Sequence, residues 1–131
     1  MSPRNARAAQ VLVTARARRS DLPPFPGELR PLSARDAYAI QDAVADAIGA
    51  IGGWKVGAKD ATAEPSCAPL CAAWIVASPA TLERDRFSRR GIEAELAFTF
   101  ARDLRQPAKA YTERDIIAAI ATVHPVIEVV D

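Results

Sequence analysis

Hydrophobic and polar residues alternate most cleanly over Gly91–Ala101, GIEAELAFTFA. Ile92, Ala94, Leu96, Phe98 and Phe100 share one parity, and Glu93, Glu95, Ala97 and Thr99 share the other. Successive side chains of a strand point to opposite faces, so the segment predicts a strand with one apolar face and one face carrying two carboxylates. Helical spacing appears in three other places. From Asn5 to about Arg19, Ala8, Val11, Leu12 and Ala15 form a narrow apolar stripe among Arg4, Arg7, Arg16, Arg18 and Arg19, which read as a solvated helix face, with an anion patch as the alternative. Ser33 is a helix N-cap with Asp36 at the third position after it, and Ile40, Val44, Ala47 and Ile48 give the apolar face of a helix running to about Ile48. Gly49, Gly52 and Gly53 end it. Thr112 and Asp115 cap a third helix over about 112–123, with Ile116, Ile117, Ile120 and Val123 as its buried stripe and His124-Pro125 as its stop.

Between these elements, the prolines of DLPPFPGELRP predict an extended connector. GGWKVGA predicts a short strand with Trp54 and Val56 on one face and Lys55 on the other. Residues 59–70, with Pro65 and Pro69, read as a loop, and Ala72–Ala77 (AAWIVA) as a buried strand closed by Ser78-Pro79. Glu83–Arg90 and 102–109 read as charged loops, and VIEVVD, 126–131, as a final strand. The sum is an α+β chain with one domain over 1–131: a helical portion, 1–50, followed by strands with one helix, 51–131.

At 131 residues the chain has the length of one domain, and its 50% hydrophobic and 25% charged residues are those of a globular protein. The net charge of +1 gives no overall field to recruit nucleic acid or an anionic membrane. The apolar runs near Cys71–Ala77 and Ile116–Ala121 fall short of the roughly 20 residues of a membrane span. The opening SPRNARAAQ lacks the apolar core of a signal peptide, so the cytoplasm is the expected compartment. Cys67 and Cys71 have only His124 to join them, too few ligands for a zinc site, and read as reduced and structural.

Candidate chemistry lies on the polar face of the alternating strand. Glu93 and Glu95 point the same way and repel unless positive charge stands between them. A hard divalent cation, Mg²⁺ or Mn²⁺, meets that need with carboxylate oxygens; the wet face of an antiparallel sheet is the plainer account. Glu128 lies amid Val126, Ile127, Val129 and Val130, where a carboxylate is costly to bury without a partner. Lys55, flanked by glycines, is either a surface lysine on an edge strand or a partly desolvated amine able to act as acid or base.

Four blocks in order, AYAIQDAVADAI, GGWKVGA, GIEAELAF and YTERDIIAAIATVHPVIEVVD, resemble the 2-keto-4-pentenoate hydratase family of the fumarylacetoacetate hydrolase superfamily. The resemblance implies N-terminal helices packed on a fumarylacetoacetase-like mixed β-roll, and a homo-oligomer. It implies Mg²⁺ or Mn²⁺ held by Glu93, Glu95 and Glu128, and Lys55 beside the substrate. The substrates it implies are small 2-hydroxy-dienoic or 2-oxo acids from the meta-cleavage breakdown of aromatic compounds. The acid would chelate the metal through its carboxylate and 2-oxygen, pass through an enolate, and take up water as a 4-hydroxy-2-oxo acid. Lys55 would move protons or hold the carboxylate. The related 2-oxo-3-enedioate decarboxylases use a similar site, and these residues do not separate the two.

Members of the family are longer, whereas this chain ends three residues after Glu128, so a roll cut before it closes is expected. A truncated chain of this kind has two further readings: an inactive remnant, or an interaction module that completes its sheet with another chain. A plain α+β domain with solvent-facing glutamates is the last alternative. Asp131 is a candidate for orienting a metal ligand, and His124 reads as structural.

Overall fold

The computed structural model describes residues 1–18, 24–87, 89–105 and 110–130. The readings above that fall on Arg19, on 21–23 of the connector, on Ser88, on 106–109 and on Asp131 lie outside the described residues. The chain forms two compact units, Met1–Ser88 and Arg89–Asp131. Among the described residues there are three α-helices and two antiparallel two-stranded sheets, a small mixed α+β protein.

In the first unit, helix α1 (Pro3–Arg18) packs on helix α2 (Ala34–Ile48). Their core is Ala8, Ala9, Leu29 and Ile40, with Val11, Leu12, Phe25, Ala43 and Val44 packed around it. Alanines on α1 let the two helices approach closely. Ala47, expected on the buried stripe, is exposed, and Ala43 takes its place. The arginines of α1 are only partly a solvated face: Arg4 pairs with Asp36 at 3.4 Å, and the Arg16 guanidinium lies 4.1 Å from the centroid of the Trp74 ring.

The start of α2 is fixed as its sequence indicates. The Ser33 hydroxyl accepts from the Asp36 backbone N–H at 3.1 Å and donates to the Asp36 carboxylate at 3.1 Å. Buried Asn5 donates its side-chain amide to the same carboxylate at 2.9 Å, tying α1 to the cap of α2. Gly49 ends the helix at φ +140°, a conformation side chains with a Cβ rarely adopt.

Strand β1 (Ile51–Gly57) pairs antiparallel with strand β2 (Ser66–Cys71), with Lys55 opposite Ala68 and Trp54 opposite Pro69. The second strand therefore lies in the segment read as a loop, and AAWIVA is not a strand. Ala72–Trp74 forms a 3-10 turn, and Ile75 and Val76 are exposed outside regular structure. Proline is compatible with a strand that pairs on one side only, so Pro69 does not exclude pairing. The chain then crosses Gly52 so closely that a Cβ there would stand 2.6 Å from Ala72 Cα.

In the second unit, strand β3 (Gly91–Phe100) pairs antiparallel with strand β4 (Ile120–Val130) along their whole length. Helix α3 (Glu113–Ile117) lies between them in sequence. Its capping box forms as read: Thr112 accepts from the Asp115 N–H at 3.2 Å, and Asp115 accepts from the Thr112 N–H at 2.9 Å. The helix stops six residues short of the expected 123, because Ile120 and Val123 belong to β4. Ile120, Thr122 and Val123 are β-branched, and a ladder against β3 outweighs one more helical turn. His124-Pro125 consequently sits inside a strand and does not end a helix.

Hydrogen bonding, foremost from Asn5 and then from Ser33 with the Arg4 charge, holds the Asp36 carboxyl below its ordinary value of 3.8. A lowered folded pKa adds stability that is present above the unfolded value and lost as pH falls through the folded one. The melting temperature of wild type should therefore exceed that of Asp36→Asn at pH about 6 and converge on it as pH drops toward about 2, followed by circular dichroism. Ser33→Ala should cost about 1 kcal/mol at neutral pH.

Candidate metal centre

Cross-strand register builds this site. Glu93 lies directly opposite Glu128, and Glu95 lies opposite Val126. Residues opposite one another in an antiparallel pair share a face, and so do residues two apart on one strand. All three glutamates therefore project from one side of the β3–β4 ribbon. One carboxylate oxygen from each lies within 4.8 Å of the others. Glu93 is exposed, while Glu95 and Glu128 are half-buried.

Strand parity predicted the shared face of Glu93 and Glu95, and the apolar neighbours of Glu128 predicted that it needs a partner; bringing it to the other two was implied by the family resemblance alone. Glu128 is only half-buried, so burial alone is a weaker constraint than expected. Val126 and Val130 share its face, whereas Ile127 and Val129 are on the other. The stronger constraint is the carboxylate directly across the ladder.

Three carboxylates from two strands offer hard oxygen donors and a local charge that a divalent cation would neutralise. Oxygen donors of this kind are those that Mg²⁺ or Mn²⁺ prefers.

The same face continues past the glutamates with groups that sequence reasoning missed. His124 stands opposite Ala97, and Thr122 opposite Thr99. His124 Nε2 and the Thr122 hydroxyl are 2.7 Å apart, and the Thr122 and Thr99 hydroxyls are hydrogen-bonded. The signal was present, since Thr122, His124 and Glu128 share a parity. Placing 120–123 in a helix concealed it.

Lys55 belongs to the first unit and lies half-buried on β1, on the side of the sheet facing α2. It lines a hollow with Tyr38 and Gln41 of α2. Trp54 and Val56 are exposed on the other face of β1, as the alternation indicates. Among the described residues β1 pairs with β2 alone, so Lys55 is on an edge strand and is half-buried there.

No family model, curated protein or solved structure matches the chain. Among the described residues, no helix is long and apolar enough to cross a membrane.

If the three glutamates hold one cation, adding Mg²⁺ or Mn²⁺ to chelator-treated protein should raise its melting temperature. The gain should approach about 2.7 kcal/mol at a hundredfold excess over Kd. Glu128→Gln should fold and lose most of that response in the same melting assay.

Proposed function

We propose that the chain carries the metal-binding half of a hydratase acting on 2-hydroxy-2,4-dienoates, the 2-keto-4-pentenoate type of acid. The observation that supports this most is the convergence of Glu93, Glu95 and Glu128 on one face. These are the three residues that the resemblance to the hydratase family assigns as ligands of Mg²⁺ or Mn²⁺. When bound, the cation supplies Lewis-acid stabilisation of the negative charge that develops on the 2-oxygen of the acid.

The chain's own residues have separate tasks. Glu93, Glu95 and Glu128 fix the cation and leave part of its shell for the acid. Lys55 holds the acid's carboxylate or carries a proton, for which a half-buried ammonium is suited. The wider architecture in this proposal is a fumarylacetoacetase-like roll, of which β3 and β4 form a part, in a cytoplasmic homo-oligomer.

A specific observation also favours the alternative of a module completed by another chain. The face of the β3–β4 ribbon opposite the glutamates exposes Ile92, Leu96, Phe98, Val123 and Ile127. Apolar area of this kind is normally covered. A covering strand or second copy is compatible with the hydratase as well as with a non-catalytic module, so turnover is the measurement that separates them.

The test is hydration of 2-hydroxypenta-2,4-dienoate, followed by loss of dienoate absorbance at saturating Mg²⁺ or Mn²⁺. Wild type should turn over, and Glu95→Gln should lose at least about a hundredfold in kcat/KM. Persistence of metal-dependent turnover in Glu95→Gln would refute the ligand assignment. Release of carbon dioxide from a 2-oxo-3-enedioate in place of hydration would move the protein to the decarboxylase alternative.

A further inference from the structure

Two directions lead along the ribbon face from the three glutamates. Beyond Glu93 and Glu128 come Gly91 and Val130, which carry neither a hydroxyl nor a titratable group. Beyond Glu95 and Val126 come Ala97 opposite His124, then Thr99 opposite Thr122. Residues two apart on a strand share a face and stand about 7 Å from each other. His124 is one such step from the Glu95–Val126 pair. Ala97 across from it is short, and His124 itself is exposed. It is the chain's single histidine.

The His124 ring is held at one nitrogen. Nε2 lies 2.7 Å from the Thr122 hydroxyl, which is hydrogen-bonded in turn to the Thr99 hydroxyl. Thr122 lies on the far side of His124 from the glutamates along β4. The two nitrogens of an imidazole present their hydrogen or lone pair on different sides of the ring. A ring with Nε2 turned to Thr122 therefore turns Nδ1 away from it. A hydroxyl can donate and accept at once. If the Nε2–H donates to Thr122, and Thr122 donates to Thr99, Nδ1 keeps a bare lone pair. The same pattern persists once Nδ1 has taken a proton, so neither threonine has to reorient as the charge develops. The row suits a histidine that works as a base.

We propose that His124 is a catalytic residue of the hydration, taking the proton of the water that adds to the acid, and that Thr122 and Thr99 are positioning residues for its ring. The inference rests on the hydratase reading and leaves Lys55 to hold the acid's carboxylate. The acid adds water in its 2-oxo form with a C3=C4 double bond. The water oxygen bonds to C4 while one of its O–H bonds breaks toward Nδ1 of His124. The C3=C4 electron pair forms C2=C3, and the C2=O pair moves onto the 2-oxygen. When that charge returns, the proton passes from His124 to C3. One water is consumed, no other reactant is needed, and His124 ends as it began. A positioned acid–base group of this kind contributes roughly 10²–10⁴ in rate.

The full chain with Mg²⁺ is assayed on 2-hydroxypenta-2,4-dienoate beside His124→Gln, His124→Ala and Thr122→Val, each checked for fold by circular dichroism. His124→Gln should lower kcat at least about a hundredfold with KM little changed. Added imidazole should restore part of the rate to His124→Ala and none to Glu95→Gln. Thr122→Val should lower kcat, and Thr122→Ser should recover it. The rise in melting temperature on adding Mg²⁺ should be the same in His124→Gln as in wild type. In ¹H–¹⁵N NMR of wild type, the neutral ring of the single histidine should be the Nε2–H tautomer. Wild-type kcat in a folded His124→Gln overturns the inference and leaves the hydratase standing, and an Nδ1–H tautomer does the same. Loss of the Mg²⁺ response in a folded His124→Gln overturns it as well, because the residue then helps to hold the cation. Wild type that responds to Mg²⁺ without turning over the dienoate refutes the hydratase reading, and the role of His124 falls with it.

Discussion

Glu93 faces Glu128 across the β3–β4 ladder with Glu95 one step along the same face, and this pairing of like charges is what the candidate site depends on. Opposed carboxylates disfavour the pairing by roughly 0.2–1 kcal/mol. The strands accept it because their other face is apolar throughout. Ile92 meets Val129, Ala94 meets Ile127, Leu96 meets Pro125 and Phe98 meets Val123. Slipping the register by one residue would turn the glutamates among those side chains. The apolar pairs therefore fix the register that brings the three carboxylates onto one face.

The first unit solves a different problem. Its core is small, and alanines supply much of it. Definition comes from polar ties between elements: Asn5 and Arg4 of α1 meet Asp36 at the cap of α2, and Tyr38 and Gln41 of α2 reach the backbone of Cys67 on β2. The second set of ties stands across the hollow beside Lys55. What holds α2 against the sheet thus also shapes the concavity.

Much of this was legible in the residues where a local rule determines the outcome. The period of two over GIEAELAFTF gave β3 and the face shared by Glu93 and Glu95, and Ser33 and Thr112 marked two helix starts through their own side chains. The end of α3 was not legible. Ile116, Ile117, Ile120 and Val123 fit a helical stripe as well as a strand, and only the partner strand decides between them. Pro69 likewise concealed β2, since whether a proline is tolerated depends on which strand edge is open. The opposition of Glu93 and Glu128 required the register, and the setting of Lys55 required alanines from a separate helix. Residue chemistry could be read along the chain, whereas its convergence is a property of the pairing.

The central claim is that one cation is shared by three glutamates. Crystals grown with Mn²⁺ and measured at the manganese absorption edge test it directly. The account predicts one anomalous peak at bonding distance from carboxylate oxygens of Glu93, Glu95 and Glu128 together. A map with no peak there at saturating Mn²⁺, or a peak held by other residues while Glu93 and Glu128 turn apart into water, would contradict it.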